Sequence, residues 1–183
     1  MHKHLLRISL FIISNLVAGD PIYCSEFMKN NIILNVFNLA NHFAELTWRE
    51  SAEEEVKNIF IESVYIITNF FLVQNPELNR QIFGLGYVDL LKLLHLGLIA
   101  GEKEHRLING VLHSLFYMIH IANDVMDFDD FKRTFYTVGL EDLILGQLNN
   151  HIYVEPLDAF ANSILDLVRT YGRSNDDIVV DQD

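Results

Sequence analysis

The chain shows its helical pattern most clearly in residues 53–73, EEEVKNIFIESVYIITNFFLV. Apolar side chains recur there at intervals of three and four residues, which is the spacing of one face of an α-helix. Three glutamates open the run, where they favour the positive end of a helix dipole. No stretch of the chain alternates convincingly with a period of two, so the fold class is predicted to be all-α. The residues that define the helical face are Val56, Ile59, Phe60, Val64, Ile67, Phe70 and Phe71.

The same periodicity predicts three further long helices, with pairs of shorter helices between them. Turn-forming residues such as Gly19-Asp20-Pro21 and Asn75-Pro76 separate these segments. The long helices are expected near 3–18, 54–73, 103–122 and 154–171. The short pairs are expected at 21–30 and 31–43, 76–84 and 86–96, and 124–136 and 139–148.

The order of one long and two short helices recurs, which indicates internal repeats. Residues 12–16, IISNL, match residues 66–70, IITNF, and the third unit places His120 at the corresponding point. The units are 54 and 51 residues long, above the roughly 40–47 expected for helical solenoid repeats. We assign the excess to loops at Ala44–Glu53 and Gly97–Glu104. A helical bundle with a single core is the alternative.

Length and charge limit the classes of function. The 183 residues suffice for one domain or a few stacked repeats, and the net charge is −12. Such a field repels phosphate backbones and anionic membranes, so we expect no nucleic-acid partner and no membrane partner, and it suits a basic ligand. The single cysteine, Cys24, allows no intrachain disulfide and is expected to be buried.

No motif predicts catalysis or a cofactor. The eight histidines are scattered without a His-Glu-x-x-His pattern, and the acidic cluster Asp124–Asp130 lacks the glycine and bidentate glutamate of an EF-hand. Phe116 and His120 are expected to have structural roles. The chain is therefore predicted to be non-enzymatic, with no metal and no cofactor.

The N-terminus leaves an alternative open. Residues 1–7 are basic and residues 8–19 are mostly apolar, as in a cleaved signal peptide of a secreted helical protein. Ser14 and Asn15 interrupt that apolar run. A spanning helix is disfavoured because no window supplies about 18–20 uninterrupted apolar residues.

Residues 12–19, IISNLVAG, resemble the end of the third helix of an armadillo repeat in the importin-α family of nuclear import adaptors. The family typically has Trp four residues before the Asn. Here Phe11 precedes Asn15 and Tyr65 precedes Asn69 by four residues, and Glu62 matches an acidic position.

The C-terminal part extends this resemblance. Residues 137–143, TVGLEDL, resemble the start of the family's closing repeat, residues 154–171 its last helix, and residues 175–183 its acidic tail. The resemblance implies an armadillo-type right-handed α-solenoid of about three and a half repeats over residues 1–171, with a disordered tail at 172–183. The family's earlier repeats and its basic, importin-β-binding N-terminal segment have no counterpart in these residues. A fragment, a truncated or unusual paralogue, and a partner in a larger assembly are therefore all open alternatives.

The resemblance also implies a function. The groove of the third helices would bind basic nuclear-localisation-signal peptides in the cytoplasm and nucleus, and the closing repeat would bind a nuclear export receptor. A generic armadillo or HEAT scaffold without cargo binding is the alternative. The implied peptide-binding residues are Phe11, Asn15, Glu62, Tyr65 and Asn69.

Overall fold

The computed structural model describes residues 2–47, 53–101 and 104–171. All regular secondary structure in these ranges is α-helical, which confirms the all-α prediction. The predicted tail at 172–183 lies outside the described residues. The helices are α1 (Lys3–Gly19), α2 (Pro21–Lys29), α3 (Ile32–Thr47), α4 (Glu54–Leu72), α5 (Pro76–Phe83), α6 (Tyr87–Ala100), α7 (His105–Val125), α8 (Phe128–Thr137), α9 (Leu140–Asn149) and α10 (Leu157–Thr170).

Polar caps define where the first short helix of each pair begins. The Asp20 carboxylate accepts from the Ile22 amide at 2.9 Å, and the Asn75 side chain accepts from the amides of Glu77 and Leu78 at 3.1 and 3.2 Å. A proline occupies the first helical position of both α2 and α5, where its missing N–H costs nothing. The Asp127 carboxylate caps α8 in the same way. The residues that fix these helix N-termini lie within one turn of them, so short sequence motifs predict where the helices begin.

Both predicted loop insertions begin with helix rather than loop. Helix α3 continues to Thr47 because Ala44 and Thr47 are buried on its packed face. Helix α6 continues through Gly97, where an added Cβ would lie 3.1 Å from Val64 and 3.2 Å from Val111. Gly97 is therefore a point of close helix approach and not the start of a loop.

The third joint lies later than residues 122–124, where the sequence suggests a break. Helix α7 runs to Val125 because Ile121 and Ala122 are buried. Helix α8 begins at Phe128, after the Asp127 cap, and not near residue 124. Burial against other helices overrides the turn propensity of Asn123 and Asp124.

The long helices pack side by side in the order α1, α4, α7, α10. Helices α1 and α4 run parallel, because Lys3 pairs with Glu53 near one end and Ser14 contacts Asn69 near the other. The short helices repeat these neighbours: α2 packs on α5, and α3 packs on α6, which packs on α9. The long helices and the helices α3, α6 and α9 therefore each form a row, whereas α2 and α5 form a single pair.

Helix α4 is central, because α1, α3, α5, α6 and α7 all pack against it. A helix covered on so many sides must be apolar around most of its circumference. The buried residues of α4 are Val56, Ile59, Phe60, Ser63, Val64, Ile66, Ile67, Thr68, Asn69, Phe70 and Phe71.

Among the described residues, no single helix has the length and apolarity needed to cross a membrane. Helices α5 and α6 reach that length and apolarity only together, and they are bent by 97° relative to each other.

Candidate functional site

Four of the five sequence-predicted site residues line two neighbouring cavities between the long helices. One cavity, here the Tyr65 cavity, has a volume of about 430 Å³. The other, the Phe11 cavity, has a volume of about 290 Å³ and contains Phe11 and Glu62. The Tyr65 cavity is lined by Val17, Ala18, Pro21, Tyr65, Thr68, Asn69, Leu72, Val73, Arg106, Asn109 and Gly110.

Asn15 is the predicted residue outside both linings. Its side chain is exposed, and its Nδ2 atom donates to the Phe11 carbonyl of its own helix at 2.7 Å. The side chain of Phe11 is 55% exposed, so its ring is available to a ligand. In this conformation the donor of Asn15 is engaged within its own helix.

Asn69 connects two of the long helices. It is only 6% exposed, and its Nδ2 atom lies 3.3 Å from the Ser14 carbonyl oxygen and 3.4 Å from the Ser14 hydroxyl. Both distances exceed the usual length of an N–H···O bond, so the contacts are weak. Asn69 therefore makes only weak contacts across to α1 while also lining the Tyr65 cavity.

The chain supplies its own cation to the ring of Tyr65. The guanidinium carbon of Arg106, on α7, lies 5.8 Å from the ring centroid, within the range of a cation–π contact. Burial raises the pKa of the Tyr65 hydroxyl, and the negative charge of Glu104 raises it further. The sequence motifs do not indicate this role of Arg106, because its partner Tyr65 lies on the preceding long helix.

Glu62 lies half-buried in the Phe11 cavity beside cationic side chains. Burial raises the pKa of its carboxyl group, and the charges of Arg7 and Arg106 oppose that shift. The Phe11 cavity is completed by His4, Arg7 and Ile8. An exposed aromatic ring and a carboxyl group thus share one recess with a guanidinium.

The third unit has a related recess, here the Phe116 cavity, with a volume of about 240 Å³. The rings of Phe116 and His120 meet edge to face at 4.5 Å, and His120 Nδ1 lies 3.1 Å from the Tyr171 hydroxyl. His120 thus contacts the residue that follows α10, and Phe116 contacts Phe160 near the start of α10, with the ring centroids 5.7 Å apart. The cavity is lined by Gln74, Pro76, Asn79, Arg80, Phe116, Tyr117, His120, Ile121 and Asp124.

Cys24 and the acidic cluster Asp124–Asp130 take part in packing, helix capping and ion pairing. Cys24 is buried, as the sequence predicts, and burial raises the pKa of its thiol to about 11. Asp127 caps α8, and Asp130 pairs with Arg133 at 2.6 Å. Over residues 2–47, 53–101 and 104–171, no three His, Cys, Asp or Glu side chains lie close enough to hold a metal ion.

Comparisons of this chain with protein-family models, with curated proteins and with solved structures returned no match.

Proposed function

We propose that this chain is an armadillo-type, right-handed α-solenoid of about three and a half repeats that binds extended, basic peptides. The ligand class is that of nuclear-localisation signals, as the resemblance of residues 12–19 and 62–69 to importin-α implies. The binding surface is the groove formed by the Phe11 and Tyr65 cavities between α1, α4 and α7. The activity is adaptor-like and non-enzymatic.

One observation carries the proposal: the groove already holds a guanidinium group. Arg106 lies against the Tyr65 ring, and its charge acts on the carboxyl group of Glu62. Aromatic rings beside a carboxylate form a site for the stem and tip of a lysine or arginine side chain. The packing order α1, α4, α7, α10 supports the repeat architecture, because each long helix packs against the next long helix along the chain.

Binding would require partial exchange of internal partners. A ligand cation at Tyr65 competes with Arg106, and a main-chain contact at Asn69 competes with its weak bonds to Ser14. Phe and Tyr rings each contribute about 0.5–2 kcal/mol to such a contact, and less than Trp would. We therefore expect weaker binding than an all-Trp groove provides.

The test is a titration of the chain at low salt with a fluorescent, lysine- and arginine-rich peptide, followed by anisotropy. Saturable binding is expected, with loss of affinity for a peptide in which glutamine replaces the basic residues. Glu62→Gln should weaken binding. Asp89→Asn makes the same charge change on α6, where Asp89 pairs with Lys92, and should leave affinity unchanged. Absence of saturable binding to the unaltered chain would refute the proposal.

A scaffold without basic cargo is the second candidate. It is favoured by the internal engagement of Arg106 with Tyr65 and of Asn69 with Ser14. A partner that crosslinks outside the groove of α1, α4 and α7, together with no peptide binding, would select this candidate.

The resemblance extends the proposal to cellular partners. By it, the chain acts in the cytoplasm and nucleus, and the closing repeat formed by α8, α9 and α10 binds a nuclear export receptor. Copurification of a receptor of that class with the unaltered chain, but not with a chain lacking α10, is the expected result.

A further inference from the structure

The Phe116 cavity repeats the arrangement of the Tyr65 cavity one unit further along the chain. Each cavity is bordered by the first proline of a short helix, Pro21 in one and Pro76 in the other. Each is also bordered by an aromatic residue that precedes a polar residue by four positions on a long helix. These pairs are Tyr65 with Asn69 and Phe116 with His120.

His120 is poorly placed to replace an asparagine. Its Nδ1 atom is engaged with the Tyr171 hydroxyl, and its ring packs against Phe116. An imidazole nitrogen also cannot offer both a donor and an acceptor to one peptide unit, as an amide side chain does. Main-chain recognition in this cavity therefore needs a different residue.

Asn79, on α5, has the required chemistry. Its side chain is 2% exposed and lines the Phe116 cavity, and its Oδ1 atom is buried with no hydrogen-bond partner among the described residues. Buried amide oxygens are nearly always paired, and among the described residues this one is left able to accept from a group that enters the cavity. Rotating the side-chain amide by 180° exchanges its oxygen and nitrogen. Asn79 can therefore accept from a peptide N–H or donate to a peptide carbonyl.

We propose that the main chain of a bound peptide continues from the Tyr65 cavity into the Phe116 cavity and hydrogen-bonds to Asn79. This inference rests on the proposed peptide-binding function. Packed helices lie about 8–10 Å apart and an extended chain advances about 3.3 Å per residue, so one step takes about three residues.

The Phe116 cavity selects a neutral peptide segment and not a further lysine or arginine. Its lining contains one cation and one anion that pair with each other, since Arg80 lies 3.9 Å from Asp124. Phe116 and Tyr117 meet edge to face at 5.7 Å and supply an aromatic wall. An uncharged, apolar side chain fits this wall without displacing the ion pair.

The test compares a short basic peptide with two longer versions, each extended by three neutral residues at one end. One extension should tighten binding to the unaltered chain about five-fold, the effect of one added hydrogen bond and its apolar contact. Asn79→Ala should abolish this gain and leave the affinity of the short peptide unchanged. Asn38→Ala, an exposed change on α3, is the matched control and should preserve the gain.

A spectroscopic measurement separates recognition from a purely structural role of Asn79. The side-chain amide resonances of Asn79, identified by their loss in Asn79→Ala, should shift with the extended peptide and not with the short one. If Asn79→Ala does not fold, Asn79→Ser replaces it. Equal weakening of short and extended peptides, no gain with either extension, or an unmoved amide signal would each overturn the inference. Failure of the short peptide to bind would overturn the proposed function as well.

Discussion

Arg106 occupies the ring face of Tyr65 that the proposed ligand would use. An exposed cation–π contact is worth about 0.5–1 kcal/mol, which the ligand must replace. Arg106→Gln should therefore tighten binding of a basic peptide about two- to five-fold. Arg133→Gln makes the same change on α8, where Arg133 pairs with nearby Asp130, and should have no effect.

Anisotropy titration at fixed salt measures this effect. Weaker binding by Arg106→Gln would contradict competition and would mean that Arg106 contacts the ligand directly.

The raised pKa of the Cys24 thiol predicts how the stability of the chain depends on pH. The folded chain raises the pKa of its thiol from 9.0 to about 11, so the proton is held more tightly in the folded state than in the unfolded state. The stabilisation is complete below pH 9 and is lost as the pH rises towards 11. The free energy of unfolding should fall more steeply over this interval in the unaltered chain than in Cys24→Ala.

Urea denaturation of both proteins at pH 8, 9.5 and 10.5 provides the comparison. Parallel curves would show that Cys24 ionises normally. Tyrosines titrate in the same interval, but they are common to both proteins and cancel in the difference.

The site residues show where sequence reasoning succeeds and where it stops. Glu62, Tyr65 and Asn69 lie on one helix, so helical spacing alone places them near one another. The engagement of Asn69 with Ser14 and of Tyr65 with Arg106 depends on which helices become neighbours. The orphan oxygen of Asn79 has no sequence signal, because it reflects the lack of a partner among the described residues of the folded chain.

At the scale of elements, the turn between α8 and α9 depends on glycine. Gly139 has a φ of 83°, a left-handed conformation that other residues adopt at a cost. An added Cβ would lie 3.7 Å from His95 Nε2, an ordinary contact, so the cost arises from the backbone and not from crowding.

Gly139→Ala should therefore lower the free energy of unfolding by about 1 kcal/mol. Gly146→Ala is the matched control within α9, where an added Cβ would meet nothing within 4 Å. Helix propensity predicts that this control is unchanged or more stable by up to about 1 kcal/mol. Urea unfolding checks both, and equal stability of Gly139→Ala with the unaltered chain would show that the turn relaxes freely.

The limits of helices were predictable where their signals are local. Asp20 with Pro21 and Asn75 with Pro76 mark the starts of α2 and α5, since cap and proline act within one turn. The ends of α3, α6 and α7 were placed too early because burial against other helices extends them. Gly97 is the clearest example, since a Cβ added there would lie 3.1 Å from Val64 and 3.2 Å from Val111.

At the scale of the whole molecule, two architectures fit an all-α chain: a stack of repeats and a bundle with one core. In a stack, each unit contacts mainly its neighbours, and stability is a sum of local terms. Here α1 packs on α4 and α2, whereas α10 packs on α7 and α9 at the other end. The net charge of −12 is compatible with either arrangement. The two architectures therefore have to be distinguished by how stability is distributed along the chain.

Hydrogen exchange read out by mass spectrometry distinguishes the two architectures. Helices α4 and α7 are covered by neighbours on several sides, so their amides should exchange slowest. Because α10 contacts fewer helices than α4 and α7 do, it should open with a smaller free energy. Helix α1 should be the next to open. A stack therefore predicts a gradient of protection that falls from α4 and α7 towards both ends. Uniform protection across α1, α4, α7 and α10 would mean that the chain opens as one cooperative unit, and it would favour the single-core bundle over the proposed solenoid.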